Sequence, residues 1–247
     1  SLVVAKQAME DAGYGESRDF DRQLAGIILG VAVGRQLATP LTARLQYPIW
    51  ERVLKNSRLS DQETQTVIEK MKLAYVDWHD NAFPGLLGNV VAGRIANRLD
   101  LGGTNCTVDA ACASSLAAFK MAVSELLEHR SNLMLTGGVD TDNSIFTYLC
   151  FSKTPALSPK QQSRPFDSDS DGILLGEGIG MMVLKRLTDA ERDGDRIYAV
   201  IKGIGTSSDG RFKSIYAPRL EGQVNALERA YQDAGIDPAS IGLIEAH

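Results

Sequence analysis

The chain has few cysteines, no long apolar run and no basic tract, and each absence excludes a class of protein. Three cysteines, Cys106, Cys112 and Cys150, make an odd count without metal-site spacing, which excludes a disulfide framework and indicates a reducing compartment. No apolar stretch approaches the ~20 residues of a membrane span, and the first residues do not resemble a secretion signal. The net charge of −5 argues against a nucleic-acid surface. These absences predict a soluble, cytoplasmic protein.

Apolar runs alternate with amphipathic segments along the whole chain of 247 residues, which is long enough for one large domain or two small ones. This alternation predicts an α/β fold with a mainly parallel sheet. The predicted strands are Leu24–Val33, Asn105–Ala110, Leu133–Gly137, Gly180–Leu187, Tyr198–Ile204 and Ile241–Ala246. The predicted helices are Leu2–Ala12, Leu41–Asn56, Asp61–Leu73, Pro84–Leu99, Ala113–His129 and Glu221–Ala234.

Residues 107–116 place Cys112 between an apolar strand and the first turn of a helix, among alanines and serines that leave room for a substrate. A helix N-terminus offers unpaired N–H groups and a partial positive charge, which favour a thiolate and can bind an oxyanion. This pattern is typical of a cysteine nucleophile. A lone cysteine in an apolar segment is also typical of ordinary core packing, so the local pattern leaves both interpretations open.

Two other motifs resemble ligand sites. Asp167 to Gly172 follows the D-x-D-x-D-G opening of a calcium loop, but the twelfth position is Gly178 and Glu177 stands one place short, so an acidic capped turn is favoured. The glycines of segments 176–180 and 203–205 complete no G-x-G-x-x-G, so we expect close backbone packing there. The long polar loop at 151–172 is of a length often associated with function.

Three histidines are candidates for acid–base chemistry. His79 lies in a polar stretch and His129 at the end of a helix, so both are more typical of structural or solvated positions. His247 follows an apolar predicted strand. Because chemistry in open α/β sheets gathers beyond the carboxyl ends of strands, His247 and Cys112 could meet in space.

Three ordered segments together resemble the β-ketoacyl synthase (ketosynthase) family of the thiolase-like superfold. They are Asp109–Leu116 around Cys112, Arg164–Gly178, and the closing Ile244–His247, where the family continues into Gly-Thr-Gly-Thr. Segments 84–97, 151–155 and 208–218 are similar to iterative synthases that make polyunsaturated fatty acids, enediyne precursors or glycolipid chains.

The resemblance implies a five-layer αβαβα fold of two similar halves with mainly parallel mixed sheets. Residues 1–187 would form most of the first half, without its opening strand, and residues 188–247 would start a truncated second half. The sequence is then a fragment lacking both ends of the family domain, and the family's second histidine, a lysine and a glycine-rich turn lie beyond it. The family is usually dimeric, and the strand before the cysteine typically pairs with its twin.

The resemblance also implies the chemistry. Cys112 takes an acyl chain from the phosphopantetheine of an acyl carrier protein, and His247 supports decarboxylation of a malonyl thioester before a Claisen condensation. Phe166 and Asp167 would belong to a loop beside the substrate pocket, and no bound cofactor or metal is expected. The polar residues of the cysteine turn would shape and support it through turn and helix-start hydrogen bonds; they are Thr107, Asp109 and Ser114.

Other functions fit parts of the pattern. A thiolase-like or starter-type acyltransferase would use the same cysteine without the decarboxylating pair. A cysteine hydrolase would use Cys112 with a histidine and cleave esters or peptides without forming a carbon–carbon bond. A non-catalytic scaffold or incomplete fragment would show no turnover despite acylation.

Overall fold

A computed structural model describes residues 1–32, 42–75, 77–211, 213 and 217–246. The chain divides into two compact units, the first comprising Ser1–Ser163 and Asp171–Arg186, the second Arg164–Ser170 and Leu187–His247. The described α-helices are α1 (Leu2–Asp11), α2 (Tyr47–Asn56), α3 (Asp61–Leu73), α4 (Val90–Leu99), α5 (Ser114–Leu127), α6 (Ile145–Lys153), α7 (Leu187–Arg192) and α8 (Leu220–Ala234). The described strands are β1 (Ala25–Val31), β2 (Asn105–Val108), β3 (Leu133–Asp140) and β4 (Gly178–Leu184).

The first unit contains a four-stranded mixed sheet in the order β2-β1-β3-β4. β1 pairs in parallel with both β2 and β3, and β4 runs antiparallel to β3. The carboxyl ends of the three parallel strands therefore share one edge, where Gly30 of β1 lies between Val108 and Gly138. The predicted α/β fold with a mainly parallel sheet is confirmed.

Helices cover both faces of this sheet because successive β1 side chains point to opposite sides. Ile27 and Leu29 join a core shared with α1 and α4, whereas Ile28 joins a second core with α5. Burial of β1 on both faces explains its continuous apolar sequence. The α5 residues that reach the second core recur every fourth position and form one stripe: Ala118, Ala122 and Leu126.

The second unit is built around α8, which ends at Gly235 in the left-handed conformation, with φ 63°. A Cβ added at Gly203 would clash with the backbone of Ala234, and one at Gly205 with the backbone of Ala226. The predicted close packing of these two glycines is therefore confirmed. A Cβ added at Gly176 or Gly178 would face open space, so the same prediction was wrong for them, whereas the backbone oxygen of Gly180 packs closely against Gly137.

Other predictions of secondary structure were also wrong. Residues 198–204 and 241–246 form neither helix nor strand, and the apolar side chains of Val200, Ile201, Leu243 and Ile244 are exposed. A strand persists only where a neighbour takes its backbone hydrogen bonds, and no described strand pairs with these segments. The predicted helix at 84–99 divides into a 3₁₀ turn at Pro84–Leu86 and α4.

None of the helices in the described ranges combines the length and apolarity needed to cross a bilayer.

Candidate active site

Cys112 lies on the turn that joins β2 to α5, and its side chain is exposed. The strand ends at Val108 and the helix begins at Ser114, so the cysteine stands just ahead of the first helical turn. A helix leaves its first backbone N–H groups without intrahelical partners, and Cys112 stands next to that end of α5. The alternative of a cysteine sealed in the core is excluded by this exposure.

The turn depends on Ala111, whose φ of 51° lies in the left-handed region. This region is disfavoured by about 1–2 kcal/mol for residues that carry a Cβ, so the turn needs support from its surroundings. Ser114 Oγ donates to the carbonyl of Ala111 at 2.6 Å and accepts from the N–H of Ala110 at 2.9 Å. The Ala111 N–H donates to Asp109 Oδ1 at 3.0 Å.

Two of the three supporting roles expected for this turn are therefore confirmed as turn hydrogen bonds, those of Asp109 and Ser114. The structure shows no side-chain hydrogen bond between Thr107 and any described residue. Ser114 is buried, at 5% exposure, whereas Asp109 is exposed to solvent. The serine is therefore shielded from competition by water in a way that the aspartate is not.

Two glycines allow the start of α5 to approach the carboxyl edge of the sheet. A Cβ on Gly30 would clash with the carbonyl carbon of Ser114 and the amide nitrogen of Ser115, and would lie 2.6 Å from the Ser114 oxygen. A Cβ on Gly138 would lie 2.8 Å from Cβ of Ser115. Neither glycine was predicted from the sequence to shape the site. Their signal was a glycine near the end of each apolar strand, in Leu-Gly-Val and Gly-Gly-Val.

A cavity of about 550 Å³ opens beside Cys112 within the first unit. Its walls combine glycine-rich strand ends with apolar side chains from α5 and β4. Asp140 is its one ionisable lining group besides Cys112 among the described residues. Such a mostly apolar wall suits a flexible hydrocarbon substrate. The lining residues are Gly30, Ala32, Ala111, Cys112, Ser114, Ser115, Leu116, Phe119, Gly137, Gly138, Val139, Asp140, Gly178, Gly180, Met181 and Met182.

The two described histidines lie away from this cavity lining. His79 is exposed and its Nδ1 accepts from the N–H of Asn81, and His129 is exposed beyond the C-terminal end of α5. His247, the predicted partner of Cys112, lies outside the described residues. Its pairing with Cys112 stays a prediction.

The other two cysteines occupy different environments. Cys150 is exposed on α6, whereas Cys106 is half-buried on β2. Burial, and then the negative charge of Glu125, raise the pKa of the Cys106 thiol, which leaves less of it as reactive thiolate.

Glu125 is a buried carboxylate on α5 that accepts hydrogen bonds from two exposed residues outside the helix. Arg130 donates to it through Nε at 2.9 Å and Nη2 at 2.7 Å, and Thr104 Oγ1 donates at 2.7 Å. The Arg130 hydrogen bonds are the largest cause that lowers the pKa of Glu125, so its carboxylate stays charged near neutral pH.

Phe166 and Asp167 belong to the second unit. Phe166 is 86% exposed and has a φ of 62°, an uncommon conformation for an aromatic residue. Asp167 Oδ1 accepts from the N–H of Asp169 at 2.8 Å, and Asp167 also lies 4.0 Å from Arg164. These contacts show a capped acidic turn, and the predicted role of both residues in substrate binding stays a prediction.

Comparison with known proteins identifies the family. The family model described as "Beta-ketoacyl synthase, N-terminal domain" matches residues 1–190, and "Beta-ketoacyl synthase, C-terminal domain" matches residues 198–247. The chain is 44% identical over 247 residues to a polyunsaturated fatty acid synthase of Thraustochytrium sp. and 36% identical over 246 residues to polyketide synthase PksN of Bacillus subtilis. It spans 9% of the first relative and 4% of the second.

Solved structures give the same answer. The protein titled "PfaC Keto synthase-Chain length factor" superposes with a TM-score of 0.79 at 36% identity, over 97% of this chain and 25% of that one. A ketosynthase from module 6 of the bacillaene synthase of Bacillus subtilis 168 superposes with a TM-score of 0.70 at 28% identity, over 97% of this chain and 35% of that one. The thiolase-like fold is thus confirmed, and the chain belongs to the β-ketoacyl synthase family.

Proposed function

We propose that the chain forms the part of a β-ketoacyl synthase that receives the acyl chain on Cys112. One observation carries this proposal: the exposed thiol stands ahead of the first turn of α5 and opens on the apolar cavity. Family membership and the similarity to polyunsaturated fatty acid and polyketide synthases support the same reaction class.

The first half-reaction is a thioester exchange. Cys112 Sγ attacks the carbonyl carbon of an acyl thioester, the carbon–sulfur bond to the carrier breaks, and the carrier leaves as a thiol with the proton that Cys112 gives up. The negative charge on the tetrahedral oxygen needs nearby donors, and we assign the Cys112 backbone N–H as one of them. The cavity walls hold the acyl chain while excluding water from the new thioester.

The second half-reaction forms the carbon–carbon bond. A malonyl thioester loses carbon dioxide, and the resulting enolate carbon attacks the acyl group on Cys112, whose sulfur leaves as the β-ketoacyl product forms. We assign His247 to the stabilisation of the enolate oxygen, together with the family's second histidine beyond this sequence. Phe166 and Asp167 would contribute a loop beside the bound thioester.

The expected partners follow from the same family. Acyl and malonyl groups would arrive on the phosphopantetheine of an acyl carrier protein in the cytoplasm, with no metal and no cofactor bound by the chain itself. A homodimer would form through β2, which is the outermost strand at one edge of the described sheet and would pair there with a second copy. The assignment of residues 1–187 and 188–247 to two thiolase-like halves belongs to this proposal.

A condensation assay tests the proposal. The full-length protein is supplied with an acyl thioester and a malonyl thioester, and β-ketoacyl product and carbon dioxide are measured. We expect product from the wild type and none from Cys112→Ala, with Cys150→Ala as the control that retains activity. Condensation by Cys112→Ala would refute the nucleophile assignment. Release of free acid without a carbon–carbon bond would indicate a hydrolase instead.

A further inference from the structure

We propose that Ser114 is a positioning residue for Cys112, because its hydroxyl holds Ala111 in the left-handed conformation that turns the thiol into the cavity. This inference deepens the proposed function and rests on the assignment of Cys112 as the acyl acceptor. Ser114 also lines the cavity, but its hydroxyl is bonded to the backbone of the turn, and it acts on Cys112 through that backbone.

The hydrogen bonds of Ser114 reach both sides of Ala111. Its hydroxyl donates to the Ala111 carbonyl at 2.6 Å and accepts from the Ala110 N–H at 2.9 Å, while its own backbone N–H donates to the same Ala111 carbonyl at 3.0 Å. One buried side chain thus ties the Asp109–Ala110 peptide group to the Ala111–Cys112 peptide group. The φ of 51° at Ala111 is one of the backbone torsions between these two groups.

The turn needs this support because alanine does not favour its conformation. A Cβ crowds the following carbonyl in the left-handed region, and only glycine enters that region without cost. Loss of the Ser114 hydroxyl would also leave the Ala110 N–H without that acceptor. The turn would then relax toward ordinary backbone angles, and the thiol would move out of line with the bound thioester.

The test compares Ser114→Ala with a variant that removes the cause of strain. Glycine at position 111 adopts the left-handed conformation freely, so Ala111→Gly is the rescue variant, alone and combined with Ser114→Ala. Ser131→Ala is the matched control, since it deletes a fully buried serine hydroxyl for which the described chain provides no hydrogen-bond partner. Single-turnover acylation of Cys112 by a hexanoyl thioester of N-acetylcysteamine is followed by peptide mass spectrometry.

We expect Ser114→Ala to slow acylation about ten-fold, equivalent to about 1.4 kcal/mol. The double variant with Ala111→Gly should acylate Cys112 at a rate within about three-fold of both the wild type and Ala111→Gly alone, and the control Ser131→Ala should stay within about two-fold of the wild type. Alkylation of Cys112 by iodoacetamide, which needs no aligned acyl group, should change less than about three-fold in every variant.

Several results would overturn the inference. If Ser114→Ala is acylated at the wild-type rate, Ser114 has no positioning role. If Ser114→Ala is acylated slowly and Ala111→Gly does not restore the rate, the loss reflects a general loss of structure. If Ser114→Ala does not fold, Asp109→Ala is used instead, because it deletes the exposed side chain that accepts from the Ala111 N–H. Asp109→Ala should slow acylation about three-fold, and adding Ala111→Gly should restore the rate. No acylation of wild-type Cys112 at all would instead refute the proposed function, and this inference with it.

Discussion

Replacing Gly30 by alanine should move Cys112 without substituting any residue of its turn. Gly30 lies near the end of β1, directly beneath the first residues of α5. An added Cβ would clash with the backbone of Ser114 and Ser115, with the Ser114 oxygen 2.6 Å away and ordinary contact beginning at 3.4 Å. Because these are backbone atoms, no side-chain rotation can relieve the clash, and the first turn of the helix must shift.

The size of the effect follows from the required shift. To restore ordinary contact, the start of α5 must withdraw by about 1 Å, a displacement that can cost about 100-fold in rate when it separates reacting groups. Overpacking of this kind lowers the free energy of unfolding by about 1–3 kcal/mol. We therefore expect Gly30→Ala to fold with reduced stability and to acylate Cys112 about 100-fold more slowly.

A matched control separates the geometric effect from lost stability. A Cβ on Gly103 would lie 2.9 Å from the carbonyl carbon and oxygen of Ala25, near the opposite end of β1. Gly103→Ala should therefore lower the free energy of unfolding to a similar degree while leaving the acylation rate within about two-fold of wild type. Urea unfolding gives the stability of both variants, and single-turnover acylation gives the rate.

Two outcomes would contradict the proposed link between Gly30 and the position of Cys112. If Gly30→Ala folds and acylates Cys112 at the wild-type rate, the close approach of α5 to β1 does not control the position of the thiol. Equal losses of rate in Gly30→Ala and Gly103→Ala would show that acylation follows overall stability instead of local geometry.

Three further predictions concern charged and reactive groups. Glu125→Gln should lower the free energy of unfolding at pH 7 by about 1–2 kcal/mol in urea titrations. Since the folded-state pKa of Glu125 is lowered, this difference should be present above the ordinary carboxyl pKa of about 4.3 and disappear as the pH falls through the folded-state pKa. Cys106 should react with iodoacetamide about ten-fold more slowly than Cys150 near pH 8, because the raised pKa of Cys106 leaves less thiolate. Glu125→Gln should reduce this difference in rate, because it removes a negative charge that raises the pKa of Cys106. Equal rates for the two thiols would contradict the effect of burial on Cys106. His247→Ala in the full-length protein should keep acyl loading and lose malonyl decarboxylation by about 100-fold or more, and loss of loading alone would reverse the assigned roles.

The sequence predicted the sheet well where strands are buried on both faces. The apolar segments that became β1 and β3 are recognisable as core strands because no face of them meets water, and the same burial fixes their place in the structure. The position of Cys112 on a strand-to-helix turn could be predicted, because the spacing of apolar residues changes from that of a strand to that of a helix between β2 and α5. The antiparallel direction of β4 could not be predicted, because pairing depends on distant residues.

The predictions that failed concern features that the local sequence pattern does not determine. α6 was missed because its residues 145–153 are apolar and aromatic on all sides, which leaves no helical period to detect. Segments 198–204 and 241–246 carry strand-like residues, but the described chain offers them no pairing partner. The role of Gly30 was hidden because a close approach between a strand and a helix is a property of their packing and not of either segment.

The most direct test of the account is the location of the acyl group after the full-length protein meets an acyl thioester. Intact-protein mass and peptide sequencing by mass spectrometry would show one added acyl group. The account predicts that it resides on Cys112, that Cys112→Ala abolishes it, and that Cys150→Ala, which removes the other exposed thiol, leaves it unchanged. An acyl group on Cys150, or one that persists in Cys112→Ala, would contradict the account.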